Sequence, residues 1–163
     1  MAINSSSVGS AAEFAVAVAA MEYGFPVSQP LGCYAHYDLI VDVNHTLIKV
    51  QVKNIFKKKG GFSCTSFRTI RNRSRYETIK YSAHDFDFAA LYLKEKKEIF
   101  IVPFDVFAFS KTFYLSKKGH TLYKDAWHLL EEFAASKADR SQQSAFNPIN
   151  ERFDSFWGRF GVE

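Results

Sequence analysis

The sequence has few cysteines, no clustered histidines and no long apolar run. Cys33 and Cys64 are the only cysteines among 163 residues, too few for a disulfide framework or a structural zinc set, which predicts a reducing, cytoplasmic environment. The five histidines are scattered, without an HxxxH or CxxC companion that would indicate a metal cluster. The apolar run 15–21 is too short to span a membrane, and no basic segment precedes it as in a signal peptide. We therefore expect no membrane association.

Length and composition indicate a single folded domain over residues 1–163. The chain is 47% hydrophobic and 23% charged, which excludes general disorder, and its length suffices for one core. Seventeen Phe and eight Tyr are present. This aromatic surplus indicates packing beyond one core, for example at a subunit interface.

Positive charge is concentrated in one window, residues 49–80. The window holds ten basic residues and one acid, Glu77, for a net charge of +9, whereas the remaining residues sum to −5. Such asymmetry is what neutralisation of nucleic-acid phosphates requires. A solvated charge run is the alternative, but interleaved aromatic side chains and the Gly60-Gly61 turn favour a structured basic ribbon. Residues 57–75 would grip phosphates, and the arginines are candidates for guanine contacts in the major groove. The candidate DNA contacts are Lys57, Lys58, Lys59, Arg68, Arg71, Arg73 and Arg75.

Residues 37–54 predict a β-hairpin that gathers three polar groups. Both arms are rich in Val, Ile and Leu, and the Asn44-His45 pair between them tolerates positive φ. A turn centred there places Asp38 opposite Gln51, with Lys53 as the diagonal neighbour roughly 7 Å away. Since side chains alternate along a strand, these three groups share one face. The alternative is an amphipathic hairpin whose polar face lies in water.

The remaining elements follow from local signals. Ser10 and Glu13 form a capping-box pattern that predicts a helix over 10–23, ended by Gly24. The residues Phe14, Ala17, Val18 and Met21 lie on one face of that helix. We further predict an outer strand (25–30) and a hairpin that starts with 62–67, with 69–75 either on its return or entering a helix. Paired strands (85–93 and 98–103), a strand (112–115), a helix (123–136), a polar linker (137–144) and an aromatic helical segment (146–163) follow.

Asp38 followed by Gln51-Val52-Lys53 resembles the signature of the PD-(D/E)XK nuclease superfamily, with Gln51 in place of the middle acid. The preceding helix and the order of the two strands are most similar to the group I intron-encoded homing endonucleases of that superfamily. The resemblance covers residues 9–105. It implies an α/β fold of the α+β mixed-sheet type, with a restriction-endonuclease-like αβββαβ core, an added β-hairpin and C-terminal helices over 120–163.

The resemblance also implies the chemistry. Asp38, the Gln51 amide oxygen, the Val52 carbonyl and Glu13 would hold Mg²⁺, with Mn²⁺ as a substitute. Lys53 would either activate water or stabilise the transition state. Glu13 has a structural alternative, the helix cap. We expect Asp85 and Asp87 to be turn or cap residues rather than ligands.

Cutting both strands of double-stranded DNA needs two sites, so the resemblance implies a homo-oligomer, a dimer or tetramer. Two other functions remain open. One is a Holliday-junction resolvase or restriction-type nuclease of the same superfamily. The other is a catalytically inactive nucleic-acid-binding module, in which Gln51 marks a decayed site.

Overall fold

The computed structural model describes residues 5–32, 34–58, 61–72 and 75–145. In chain order the elements are α1 (Ser5–Glu22), β1 (Val27–Ser28), β2 (Leu39–Val43), β3 (Thr46–Asn54), β4 (Phe56–Lys58), β5 (Gly61–Thr65), β6 (Phe67–Asn72), β7 (Arg75–Lys80), β8 (Phe88–Leu93), β9 (Glu98–Pro103), α2 (Phe104–Phe107), β10 (Thr112–Leu115), α3 (Lys117–Tyr123) and α4 (His128–Ala145).

A five-stranded mixed sheet in the order β1-β2-β3-β8-β9 organises these elements. β2 and β3 form an antiparallel hairpin, β3 and β8 run parallel, and β8 and β9 are antiparallel. The expected mixed α/β class is confirmed. Where the αβββαβ order has a helix, the described residues between β3 and β8 instead form the strands β4 to β7.

The predicted register of the β2–β3 hairpin is confirmed. Asn44 and His45 have φ values of 50° and 66°, the left-handed pair of a two-residue type I′ loop. Leu39 pairs with Val50 and Val43 with Thr46. Because this turn determines the pairing, Asp38 comes to lie beside the strand that carries Gln51.

Each face of the central sheet carries its own core. On one face, α1 and α4 pack against Leu39, Val41 and Ile48. On the other, α2, α3 and the β10-β5-β4 sheet enclose Ile55, Phe86 and other apolar side chains. β8 is buried on both faces, which explains its nearly continuous apolar sequence.

The helix α1 starts five residues earlier than predicted. Ser10 is therefore an interior residue, and the capping-box interpretation of Ser10 and Glu13 is wrong. The buried face also differs, because small side chains let the helix approach the sheet closely: Ala12, Val16, Ala17 and Ala20 are buried, whereas Phe14, Val18 and Met21 are exposed. The helix end is as expected, since Gly24 has φ +100° and the Phe25 N–H donates to the Ala20 carbonyl at 3.0 Å.

The predicted pairing of 62–67 with 69–75 is wrong. β5 pairs with β4 and β10, while β6 pairs with β7 as a separate two-stranded ribbon. The chain changes sheets at Ser66, which is buried and donates from its N–H to the Lys111 carbonyl at 3.1 Å and from Oγ to the Ser110 carbonyl. These distant partners stop the strand at Thr65.

The C-terminal predictions are partly confirmed. β8, β9 and β10 form as expected, and Trp127, Leu130 and Ala134 point inward. The polar linker predicted over 137–144 is wrong because α4 continues to Ala145. Lys137 supports that continuation through the Phe133 ring at 4.5 Å. The aromatic segment 146–163 lies outside the described residues. Among the described residues, no helix is long and apolar enough to cross a membrane.

Candidate active site

Asp38 lies just before β2, with its carboxylate directed at β3. Its backbone N–H donates to the Val50 carbonyl at 2.9 Å, extending the hairpin ladder by one residue. Its Oδ2 accepts a hydrogen bond from the Val52 N–H at 2.7 Å and another from the side-chain amide of Gln51. The carboxylate is thereby held in one orientation by the neighbouring strand.

Gln51 lies between two oxygen atoms. The residue is 8% exposed, and its Nε2 donates both to Asp38 Oδ2 and to the Val52 carbonyl, the latter at 3.3 Å. A half-turn of the amide would exchange Nε2 for Oε1, so that carboxylate, carbonyl and amide oxygens converge on one point. Such a hard, oxygen-only set fits Mg²⁺. Among the described residues there is no group of three or more His, Cys, Asp or Glu side chains arranged for a metal.

Glu13 faces the same region from α1. It lines an open cleft of about 600 Å³ together with Asp38, Ser10, Gln29 and Tyr37. Its negative charge acts on Asp38 and raises the pKa of that carboxyl. Because Ser10 is an interior residue of α1, Glu13 does not form the predicted cap, and its role at the metal site stays a prediction.

The carboxyl of Asp38 is strongly perturbed. Its pKa is raised from 3.8 to about 6, mainly by burial and in part by the charge of Glu13, against the lowering effect of the Val52 N–H. Lys53 and the Gln51 amide act in the lowering direction but do not compensate. A carboxylate destabilised in this way gains from a cation placed beside it.

Lys53 reaches from β3 toward the β6–β7 ribbon. Its Nζ donates to the Phe67 carbonyl at 3.5 Å and lies 5.2 Å from the centroid of the Tyr81 ring. Burial lowers the pKa of this lysine, and the negative charge of Asp38 opposes that effect. The arrangement thus joins a carboxylate, an amide and an ammonium, as the hairpin register predicts.

The predicted DNA contacts that the structure describes fall on the strand β4 and on the β6–β7 ribbon. Lys57 and Lys58 are exposed on β4, and Arg75 is exposed on β7, where every residue is solvent-accessible. Arg68 is half-buried on β6, and its positive charge acts on the nearby Tyr81 hydroxyl. Lys59 and Arg73, together with the side chain of Arg71, lie outside the described residues.

Asp85 forms hydrogen bonds within a loop, whereas Asp87 bonds to the strand β3 and the helix α4. Asp85 accepts the Ser82 N–H at 2.8 Å and contacts His36 Nδ1 at 2.7 Å. Asp87 accepts the Lys49 N–H at 2.8 Å. Asp85 therefore makes the turn contact expected of it, whereas Asp87 instead links Lys49 of β3 to Lys137 of α4.

Two groups that contact Lys53 were not predicted from the sequence: the Tyr81 ring and the Phe67 carbonyl. Neither has a spacing signal, because each meets Lys53 only through tertiary packing, 28 and 14 residues away along the chain. Tyr81 does follow the basic window directly. That position alone does not distinguish it from any core aromatic.

The fold and the site together define a PD-(D/E)XK nuclease. The family model described as PD-(D/E)XK endonuclease matches residues 3–134, and the chain belongs to this family. Nucleases of the family generally use divalent metals. Among solved structures the chain is similar to that of a bacterial homing endonuclease, I-Ssp6803I, with 31% identity and a TM-score of 0.73. The similarity covers 83% of this chain and 99% of that one. No curated protein matches the chain.

Proposed function

We propose that the protein is a sequence-specific, Mg²⁺-dependent endonuclease of double-stranded DNA of the homing type, acting as one domain over 1–163. The observation that carries this proposal is the convergence of Asp38, Gln51 and the Val52 carbonyl beside Lys53. The likeness to a homing endonuclease at 31% identity supports it.

The metal would be held by oxygen atoms alone. Asp38 Oδ2 and the Val52 carbonyl lie on either side of the Gln51 amide, and Glu13 lines the same cleft. Mg²⁺ prefers such ligands, and Mn²⁺ accepts them too. When bound, the ion would neutralise phosphate charge and acidify a water molecule. Gln51 contributes no charge, so Asp38 and Glu13 supply the anionic ligands.

Lys53 would act on the reacting phosphate or its attacking water. Its ammonium is partly buried and makes no ion pair within 4.0 Å among the described residues. N–H groups not used by Phe67 therefore remain free to donate to a water or to a phosphoryl oxygen. Burial strengthens either interaction because the effective dielectric constant is low.

DNA would be gripped beside this site. Lys57 and Lys58 on β4 would contact phosphates without regard to sequence. The β6–β7 ribbon, which carries Arg68 and Arg75, has the width of a two-stranded element that enters a major groove.

Gln51 favours one alternative function, a catalytically inactive nucleic-acid-binding module. Gln51 in place of an acid lowers the negative charge of the site, as it would in an inactive binding module. A cleavage assay separates the two functions. The protein is incubated with a randomised duplex library in Mg²⁺, and in Ca²⁺ as a comparison, followed by sequencing of the cut ends.

We expect cutting at a restricted set of sequences in Mg²⁺. Asp38→Ala and Lys53→Ala should each lower the rate by about 10²-fold or more. The matched controls Asp105→Ala and Lys118→Ala, both exposed and outside the cleft lined by Glu13 and Asp38, should cut like the wild type. Binding without cutting in Mg²⁺ or Mn²⁺ would identify an inactive module and contradict the proposal.

A further inference from the structure

Lys53 is held by contacts that leave its charge unneutralised. Among the described residues it has no carboxylate partner within 4.0 Å. Its two neighbours are the Phe67 carbonyl at 3.5 Å and the face of the Tyr81 ring at 5.2 Å. An aromatic face attracts an ammonium through the ring quadrupole and donates no proton to it. These contacts therefore orient the ammonium and leave its remaining N–H donors available.

Tyr81 is rigidly placed for this contact. It is 5% exposed and packs edge-on against Phe86, with ring centroids 5.0 Å apart and an interplanar angle of 79°. Phe86 packs in turn on Phe104 at 5.1 Å and on Phe107 at 6.1 Å. A ring held in such an aromatic cluster presents one face to Lys53 and cannot rotate away without opening the core.

We propose that Tyr81 is a positioning residue for DNA cleavage, whose ring face holds the Lys53 ammonium beside the Asp38–Gln51 site. This inference rests on the proposed endonuclease function. The role belongs to the ring rather than to the hydroxyl, because the cation lies over the ring face.

The same contact links Lys53 to the DNA-binding ribbon. Phe67 is the first residue of β6 and pairs with Lys80, the last residue of β7, and Tyr81 follows Lys80 directly. Both neighbours of the Lys53 ammonium thus belong to the root of the ribbon that carries Arg68 and Arg75. That root is anchored through Ser66, whose N–H donates to the Lys111 carbonyl. A duplex that engages the ribbon therefore acts on the segment that orients the lysine.

The test compares Tyr81→Leu, which removes the ring, with Tyr81→Phe, which keeps it. Single-turnover cleavage in saturating Mg²⁺ gives the rate, and binding in Ca²⁺ gives the DNA affinity. We expect Tyr81→Leu to cut at least roughly tenfold more slowly with unchanged affinity, and Tyr81→Phe to restore most of the rate. The matched control is Phe133→Leu, which removes the ring that Lys137 covers at 4.5 Å in the other core; its rate should equal that of the wild type.

Two cleavage outcomes would overturn the inference. One is a wild-type rate in Tyr81→Leu. The other is equal impairment of Tyr81→Phe and Tyr81→Leu, which would assign the role to the hydroxyl.

A second measurement needs neither cleavage nor a folded Tyr81→Leu protein. In wild type and Tyr81→Phe, the ring current should shift the Lys53 ε-methylene protons upfield, and Lys53→Arg identifies that signal. Absence of the shift in the wild type would also overturn the inference. A wild type that shows the shift but cuts no duplex would instead contradict the proposed function.

Discussion

At the scale of the residue, the site contains a carboxylate that the fold disfavours. In the proposed function Asp38 is a metal ligand, yet burial raises its pKa to about 6. Its hydrogen bonds from Val52 and Gln51 only partly offset the loss of solvation. Functional sites commonly hold groups that reduce stability in this way.

Replacing Asp38 by Asn should therefore stabilise the metal-free protein at high pH. The folded pKa lies above the unfolded value, so the protonated carboxyl favours folding below pH 4, and that contribution is lost as the pH rises through 6. The asparagine oxygen can accept the same two hydrogen bonds without carrying charge. At pH 8 in EDTA we expect Asp38→Asn to raise the free energy of unfolding by about 1–3 kcal/mol.

Urea unfolding at several pH values checks this prediction. The difference between variant and wild type should shrink toward pH 4. The control Asp105→Asn, at an exposed position, should show no such trend. Equal stability of Asp38→Asn and wild type at pH 8 would mean that the carboxylate is better solvated than its burial indicates.

At the scale of the element, prediction from sequence succeeds where local chemistry decides. The β2–β3 register depends on the positive φ of Asn44 and His45, a property of those two residues. The juxtaposition of Asp38 and Gln51 follows from it. The break at Ser66 depends instead on the Ser110 and Lys111 carbonyls, more than 40 residues away. Local patterns contain no information about such partners.

The inward face of α1 illustrates a second limit. Counting apolar residues favours Phe14, Val18 and Met21, but close helix–sheet packing selects the alanine face. Similarly, the hairpin register predicts that Lys53 lies near Asp38. Its contact with Tyr81 could not be predicted, because it depends on how the whole β4–β7 segment folds. Sequence therefore predicted the juxtaposition of Asp38 and Gln51 better than the packing around Lys53.

The strand β4 offers a test of phosphate contact. We expect the double variant Lys57→Gln/Lys58→Gln to weaken binding to every duplex about equally. Each lost phosphate contact should reduce the slope of log affinity against log salt by about 0.9, so the slope should change by about 1.8. Fluorescence anisotropy over a salt series, on target and unrelated duplexes, measures both quantities.

A basic pair on the opposite face of the sheet serves as the control. Lys137→Gln/Arg140→Gln on α4 removes the same number of charges on the side where α1 and α4 pack. Its salt slope should match that of the wild type. An equal change in both double variants would indicate a diffuse effect of net charge rather than contacts by β4.

At the scale of the whole molecule, the cores on the two faces of the central sheet support different parts of the candidate site. The α1–α4 face holds Asp38 and Gln51 in register by burying the aliphatic side of β2 and β3. The opposite face joins Lys53 to the ribbon through Phe67 and Tyr81. The candidate site thus depends on both faces of the sheet. Each chain provides one set of Asp38, Gln51 and Lys53.

One site per chain predicts a symmetric oligomer, because the two strands of a duplex present antiparallel phosphodiesters. Light scattering should give the mass of a dimer or tetramer. Co-expression with Lys53→Ala subunits under a second affinity tag yields mixed oligomers. These should convert a supercoiled plasmid carrying the target to nicked circles as the end product, whereas the wild type yields linear DNA. Linear DNA from mixed oligomers, or an active wild-type monomer that nicks the strands in turn, would mean that one site serves both strands.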